Sequence, residues 1–313
     1  MNFWKEIFLP GFKKSGRTAG WLLKIILPVS LVVRLMDYYG ILAYLADFLN
    51  PVFVHLGLPG STAIVFITSI FLPLYAPLAI IISMPITLRE LTILALMCQT
   101  SHNLPIESAI QAKTGTPFWA MTTLRIAMSI AIGLVLNLIL PQDMGMPLFT
   151  QTAVEGIHSL GDLFGAWLTN GVRMALLIFL IVAALNILYR LLEKYNWVDK
   201  LSKSVAPILK IFGLPVSVAF LWLIGYIVGL AYGGALMMDQ LQEGKISRSD
   251  VRLLNYHLAV SHSILEDNLL FIALGVSVWW ILGMRLIAAL VVVWAKKLTI
   301  KWTGQDKGQV VPV

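Results

Sequence analysis

Cysteine is nearly absent from this chain: Cys98 is the only one among 313 residues, so no internal disulfide can brace the fold. It stands inside an apolar run and does not identify a redox compartment. Charge is scarce as well. Only 12% of the residues are Asp, Glu, Lys or Arg and 58% are hydrophobic, a balance that no water-soluble domain of this length could carry without aggregating. No Walker phosphate loop, dinucleotide fingerprint or GxSxG elbow occurs in a credible setting, so neither nucleotide-driven work nor enzymatic chemistry is expected. The N-terminal stretch is interrupted by Pro10 and Gly11, and it lacks the long apolar core and small-residue cleavage site of a removable signal peptide.

Apolar segments take the place of these features. They lie near residues 19 to 37, 61 to 83, 91 to 112, 117 to 140, 172 to 190, 214 to 237, 251 to 273 and 276 to 295. A hydrocarbon core of roughly 30 Å needs about 20 apolar residues per helix. The expected fold class is therefore an all-α polytopic membrane protein, with the lipid bilayer as its first partner. A net charge of +7 would suggest nucleic acid in a soluble protein, but here its placement argues for orientation, and no nucleic-acid partner is expected. No Lys or Arg stands between 141 and 170, although the chain has 23. The positive-inside rule then puts residues 141–170 outside as a linker, with both termini cytoplasmic in a bacterial inner membrane. Residues 1–17 set Phe3, Trp4, Ile7, Phe8 and Phe12 beside Lys5, Lys13, Lys14 and Arg17, as an interfacial segment does.

The chain also repeats itself. At an offset of 160, Ser101 and His102 fall on Ser261 and His262, Glu107 on Asp267, Gly115 on Gly275, Trp119 on Trp279 and Arg125 on Arg285. Upstream the offset is 156: Arg34 and Asp37 match Arg190 and Glu193, and Gly57-Leu58-Pro59 matches Gly213-Leu214-Pro215. Two repeats follow, at 18–140 and 171–297, with a cytoplasmic tail at 298–313. Each reads as a span, an amphipathic stretch, a Gly-Leu-Pro turn, a second span, a motif segment and a last span. If the motif segment enters and leaves on one side, each half crosses three times and the second half is inverted. That arrangement suits the neutral linker; four crossings per half would give parallel repeats.

The motif segments, TSHNLPIESAI and VSHSILEDNLL, put imidazole and carboxyl groups at membrane depth, where an ionised acid costs at least ~2.5 kcal/mol on insertion scales. Pro105 lacks an N–H and clashes with the carbonyl four residues back, which predicts a helix break around His102 to Leu104. In the second copy the break rests on symmetry and on Ser261 and Ser263. Inverted repeats bring such segments together near the midplane, where transporters hold substrate and coupling ions. The candidate binding residues are His102, Glu107, His262, Glu266, Asp267, Ser101, Asn103, Ser261, Asn268 and Gln99, with His257 nearby. Arg125 and Arg285 lie roughly 12 to 14 Å into their spans, as charge partners for Glu107 and Asp267 or as clamps on an anionic solute. His with carboxylate on both motifs would also suit a first-row divalent ion, but the two arginines compete for the same oxygens, and no resident cofactor is expected. Trp119, Trp279 and Trp280 follow the motifs closely enough to wall a cavity, whereas His55 and His158 sit in loops.

On SHNLPIE, SHSILED, the paired Gly-Leu-Pro turns and the span after each motif, the chain resembles the nucleoside-recognition or Gate domain family. That family is similar to the membrane parts of concentrative nucleoside transporters and of ferrous iron transport protein B, and to the spore maturation proteins A and B. The resemblance implies an inverted-repeat helical membrane fold and, by analogy, transport; the paired ionisable groups at membrane depth point to a secondary transporter of a small polar or ionic solute, with Glu107, Asp267 or a histidine taking up a coupling proton. Through the spore maturation proteins it implies instead a non-transporting assembly or signalling component; through the iron transporter, a divalent metal. The chain has no G domain, no Cys-Pro pair in its motif segments and fewer scaffold helices than a nucleoside transporter. So few scaffold helices make a homodimer an expectation too.

Overall fold

The computed structural model describes residues 8–148 and 159–303, and every regular element among them is helical. The first half runs α1 (Leu9–Tyr38), α2 (Ile41–Phe53), α3 (Ala63–Phe71), α4 (Tyr75–Ile81), α5 (Leu88–Ser101), α6 (Leu104–Lys113) and α7 (Phe118–Ile139). The second runs α8 (Leu160–Lys194), α9 (Trp197–Ile211), α10 (Ala219–Ile227), α11 (Leu230–Gln242), α12 (Arg248–Val260), α13 (Ile264–Ile272) and α14 (Val278–Thr303). The chain is an all-α polytopic membrane protein. Among the described residues α7 and α14 are unbroken, long and apolar enough to cross a bilayer by length and composition.

The repeat seen in the sequence extends to backbone detail. Gly40 and Asn196, at the offset of 156, both take the left-handed conformation ahead of α2 and α9. At the offset of 160, the hydroxyls of Thr87 and Ser247 accept the N–H of Glu90 and Asp250, capping α5 and α12 alike. The inversion is visible where α1 packs on α8. Gly11 faces Ile187 while Gly171 faces Leu27, so these two equivalent helices run antiparallel. Small residues at that seam let the backbones approach, which matters in lipid, where packing and polar contacts specify the association of helices.

Several boundaries differ from expectation. Residues 9–17, read as interfacial, continue directly into α1, because Pro10 falls in the first turn, where its missing N–H costs nothing. Helix α8 begins at Leu160 inside the expected linker, and α14 runs on to Thr303 within the expected tail. At 30 and 35 residues, α1 and α8 span about 45 and 52 Å and outrun the hydrocarbon core. Asp37, Glu193 and His158 lie outside the described side chains, so the Arg34 and Arg190 pairings are not placed.

The second apolar stretch of each half is not a straight span. The Gly-Leu-Pro turn sets the segments Asp47–Leu56 and Gly60–Phe71 at 94° to one another. Beyond it, α10 and α11 fold back on each other at Gly229, whose φ of 101° suits glycine. A Cβ on Gly233 would lie 3.4 Å from the Cα of Gly225, eight residues earlier, so the two glycines let the arms touch. In the first half Leu72 and Pro73 interrupt the chain between α3 and α4. The motif segments α5–α6 and α12–α13 are the broken helices, the first as Pro105 predicts and the second as the repeat predicts, but the folding back happens one element earlier.

Candidate functional site

The breaks come first, since they aim the site. Asn103 and Ser263 stand between the halves of each broken helix at φ 50° and 46°, the left-handed region that side chains other than Gly rarely adopt. What offsets that strain is bonding to the preceding element. The Asn103 N–H donates to Ser69 O at 2.8 Å and the Ser263 N–H to Gly225 O at 2.9 Å, equivalent bonds at equivalent places. On the other side of each break the freed carbonyls are held by arginine. Arg125 donates from Nε to Thr100 O and from Nη2 to His102 O, both at 2.8 Å. Arg285 Nη2 donates to His262 O. Both arginines are fully buried, as cations that close a helix C-terminus in lipid must be.

The two breaks meet. The rings of His102 and His262 lie 5.1 Å apart between centroids. Glu107 sits between them, Oε1 at 3.4 Å from His102 Nε2 and Oε2 at 3.1 Å from His262 Nε2, while Arg125 Nη1 is 2.7 Å from Oε2. One carboxylate from the first repeat thus touches an imidazole from each. Each ring's other nitrogen faces a backbone carbonyl, His102 Nδ1 with Gln99 O at 3.1 Å and His262 Nδ1 with Leu258 O at 2.8 Å. A carbonyl only accepts, so Nδ1 carries the hydrogen and a neutral ring turns its Nε2 lone pair toward Glu107.

The second repeat does not mirror this. Asp267 pairs with Arg285 at 3.3 Å and contacts neither histidine, being one methylene shorter than Glu107. Asn268 Oδ1 accepts from Arg285 Nη1 at 3.0 Å and from Gln99 Nε2 at 3.3 Å; Gln99 Nε2 also reaches Asp267 O at 2.9 Å, tying the first broken helix to the second. Glu266 accepts from the hydroxyl of Tyr75 on α4.

Other expected members point elsewhere. The Ser101 hydroxyl turns back to Met97 O in its own helix. Ser261 joins Tyr226, which with Trp222 converges on His257 Nε2 at 2.6 and 2.8 Å. Trp119 and Trp279 do not wall a cavity: they are 72% and 80% exposed, pointing outward from the first turns of α7 and α14 as amphipathic rings do at a lipid interface. Trp280 packs against the core and His55 is exposed on a short turn.

Sequence reasoning missed Tyr75, Trp222 and Tyr226. The last two were detectable, since polar-tipped aromatics four apart share a helix face and His257 with Ser261 repeats that spacing. It also missed a cross-repeat network in which Gln111 Nε2 donates to Asn255 O, and Asn255 Nδ2 to the hydroxyls of Thr114 and Thr116. Nothing local in the sequence pairs those positions.

Comparison with known proteins bears on this architecture. Residues 19–116, from α1 to just beyond the first broken helix, match the family described as nucleoside recognition (Gate). An uncharacterized membrane protein, YvoD of Bacillus subtilis (strain 168), is similar along the whole length: 31% identical over 309 residues, covering 97% of this chain and 99% of the relative. No solved structure matches the chain.

Proposed function

Because the chain belongs to the nucleoside-recognition (Gate) family of membrane proteins, we propose that it is a secondary transporter whose central site, at the two apposed breaks, takes a small polar or ionic solute. The observation that carries this reading is Glu107 held between His102 of its own repeat and His262 of the other. Polar groups at membrane depth, on broken helices, at the junction of two inverted repeats are the features by which transporters bind cargo and alternate access. Glu107 or a histidine would carry the coupling proton, since lone pairs from all three face one another. The protein would reside in the bacterial inner membrane with both termini cytoplasmic, work as a homodimer, hold no nucleic acid and catalyse no reaction.

Uptake into proteoliposomes under an imposed proton gradient tests this. Solutes that accumulate with wild type should fail to accumulate with His102→Ala and His262→Ala at equal reconstitution. Unchanged uptake in both variants would refute the reading. One observation favours the second reading, a static assembly or signalling component: His102, Glu107 and His262 are all at most 7% exposed. Single cysteines at Asn103 and Ser263 in a Cys98→Ala background discriminate. Labelling by membrane-impermeant maleimide from either side fits transport; protection from both sides fits the static component.

A further inference from the structure

We infer that His102, Glu107 and His262 form a binding site for a first-row divalent cation such as Mn2+, Fe2+ or Co2+. This rests on the transport reading and names the class of its cargo. One ligand atom from each residue falls within 4.8 Å of the others, and all three residues are buried. Each carboxylate oxygen lies near one imidazole, Oε1 at 3.4 Å from His102 Nε2 and Oε2 at 3.1 Å from His262 Nε2, separations close to those of ligand atoms that share one ion at bonds of roughly 2.1 Å.

The chemistry of the trio points the same way. With both Nδ1–H groups given to backbone carbonyls, the Nε2 lone pairs and the carboxylate are acceptors facing acceptors. His262 Nε2 and Glu107 Oε2 lie 3.1 Å apart inside the protein without hydrogen-bond geometry between them. Three converging lone pairs call for a cation between them. A ring nitrogen anchored on a backbone carbonyl is also the support that metal-binding histidines show, since it fixes the tautomer and the ring's aim. Two imidazoles with one carboxylate select first-row transition ions over Mg2+ and Ca2+, which prefer all-oxygen shells. Three protein ligands leave positions open, which suits an ion that must leave again.

Arginine competition is confined to one carboxylate oxygen. Arg125 commits Nε and Nη2 to Thr100 O and His102 O, and its Nη1 lies 2.7 Å from Glu107 Oε2 without hydrogen-bond geometry. Glu107 Oε1 faces His102 alone. Arg285 is directed to Asp267, Asn268 and His262 O.

The test is a Co2+ titration of the detergent-purified full chain, followed by visible ligand-field absorption, with Mn2+ stoichiometry by elemental analysis. One ion per chain is expected. His262→Ala and Glu107→Gln should each weaken Co2+ binding by roughly 100-fold or more, while His55→Ala, at an exposed histidine, should leave it unchanged. Should the buried variants not fold, wild-type protein loaded with Cu2+ supplies a readout without them: pulsed electron paramagnetic resonance should show modulation from two imidazoles. Absence of stoichiometric binding, binding abolished by His55→Ala, or modulation from no imidazole or only one overturns the proposal. Manganese-54 flux into proteoliposomes separates the two claims. Binding through the trio without flux of any solute keeps the site and removes transport; uptake of another solute that needs both histidines, with no metal bound, keeps transport and removes the site.

Discussion

Glu107 of the first repeat lies 3.1 Å from the imidazole Nε2 of His262 in the second, a contact that its counterpart Asp267 does not reciprocate. A twofold-related chain has thereby built an asymmetric centre. The asymmetry comes from one methylene: with the backbones fixed by equivalent breaks, the longer acid reaches across while the shorter one stays with its own arginine.

Side-chain length at position 107 is therefore open to test. Glu107→Asp should keep an anion for Arg125 but withdraw it from His262, so uptake should fall with little loss of thermal stability in detergent. Glu107→Gln removes the charge facing a buried Arg125 and should cost about 3 kcal/mol or more. Equal melting of Gln and Asp variants would show that the ion pair contributes little.

Arginine acts here through its fork. Arg125→Lys keeps the charge but cannot hold Thr100 O, His102 O and Glu107 together, because an ammonium is a point donor. The variant should melt well below wild type, and Arg285→Lys likewise. Wild-type melting for either would mean that the broken helix ends are satisfied in another way.

The fold-back at Gly229 admits no side chain. Its φ of 101° and a hypothetical Cβ only 2.7 Å from Ser263 Oγ put strain and a clash at the contact between α10–α11 and the second break. Gly229→Ala should destabilise by roughly 1 to 3 kcal/mol. Gly165→Ala, where nothing lies within 4 Å, should raise stability slightly or leave it unchanged. Matching behaviour of the two variants in thermal unfolding would argue against the constraint.

The orientation expected from charge is checked by labelling. In a Cys98→Ala background, cysteines placed at Lys13 and Lys296 should react with impermeant maleimide only from the cytoplasmic side, and one at Gln142 only from outside. Reaction of Lys13→Cys and Gln142→Cys from the same side would require an even number of crossings per half.

Much of this was legible in the residues. The duplicated Ser-His pairs, the Gly-Leu-Pro turns and Pro105 located the repeats, the turn ahead of each second apolar stretch and the first break; the second break, lacking Pro and Gly, was readable only through the repeat. Trp119 and Trp279 show the limit, since spacing placed them beside the motifs but not on which face of α7 and α14 they would stand.

Membrane residence, duplication and the identity of the polar groups were determined by the sequence alone, because they depend on composition, offset and local backbone preference. The tertiary structure alone decided which acid meets which imidazole, that the arginines serve backbone carbonyls, and that the fold-back lies in α3–α4 and α10–α11 rather than in the motifs. Those outcomes depend on ångström-scale separations between segments about 160 residues apart, which no local pattern encodes.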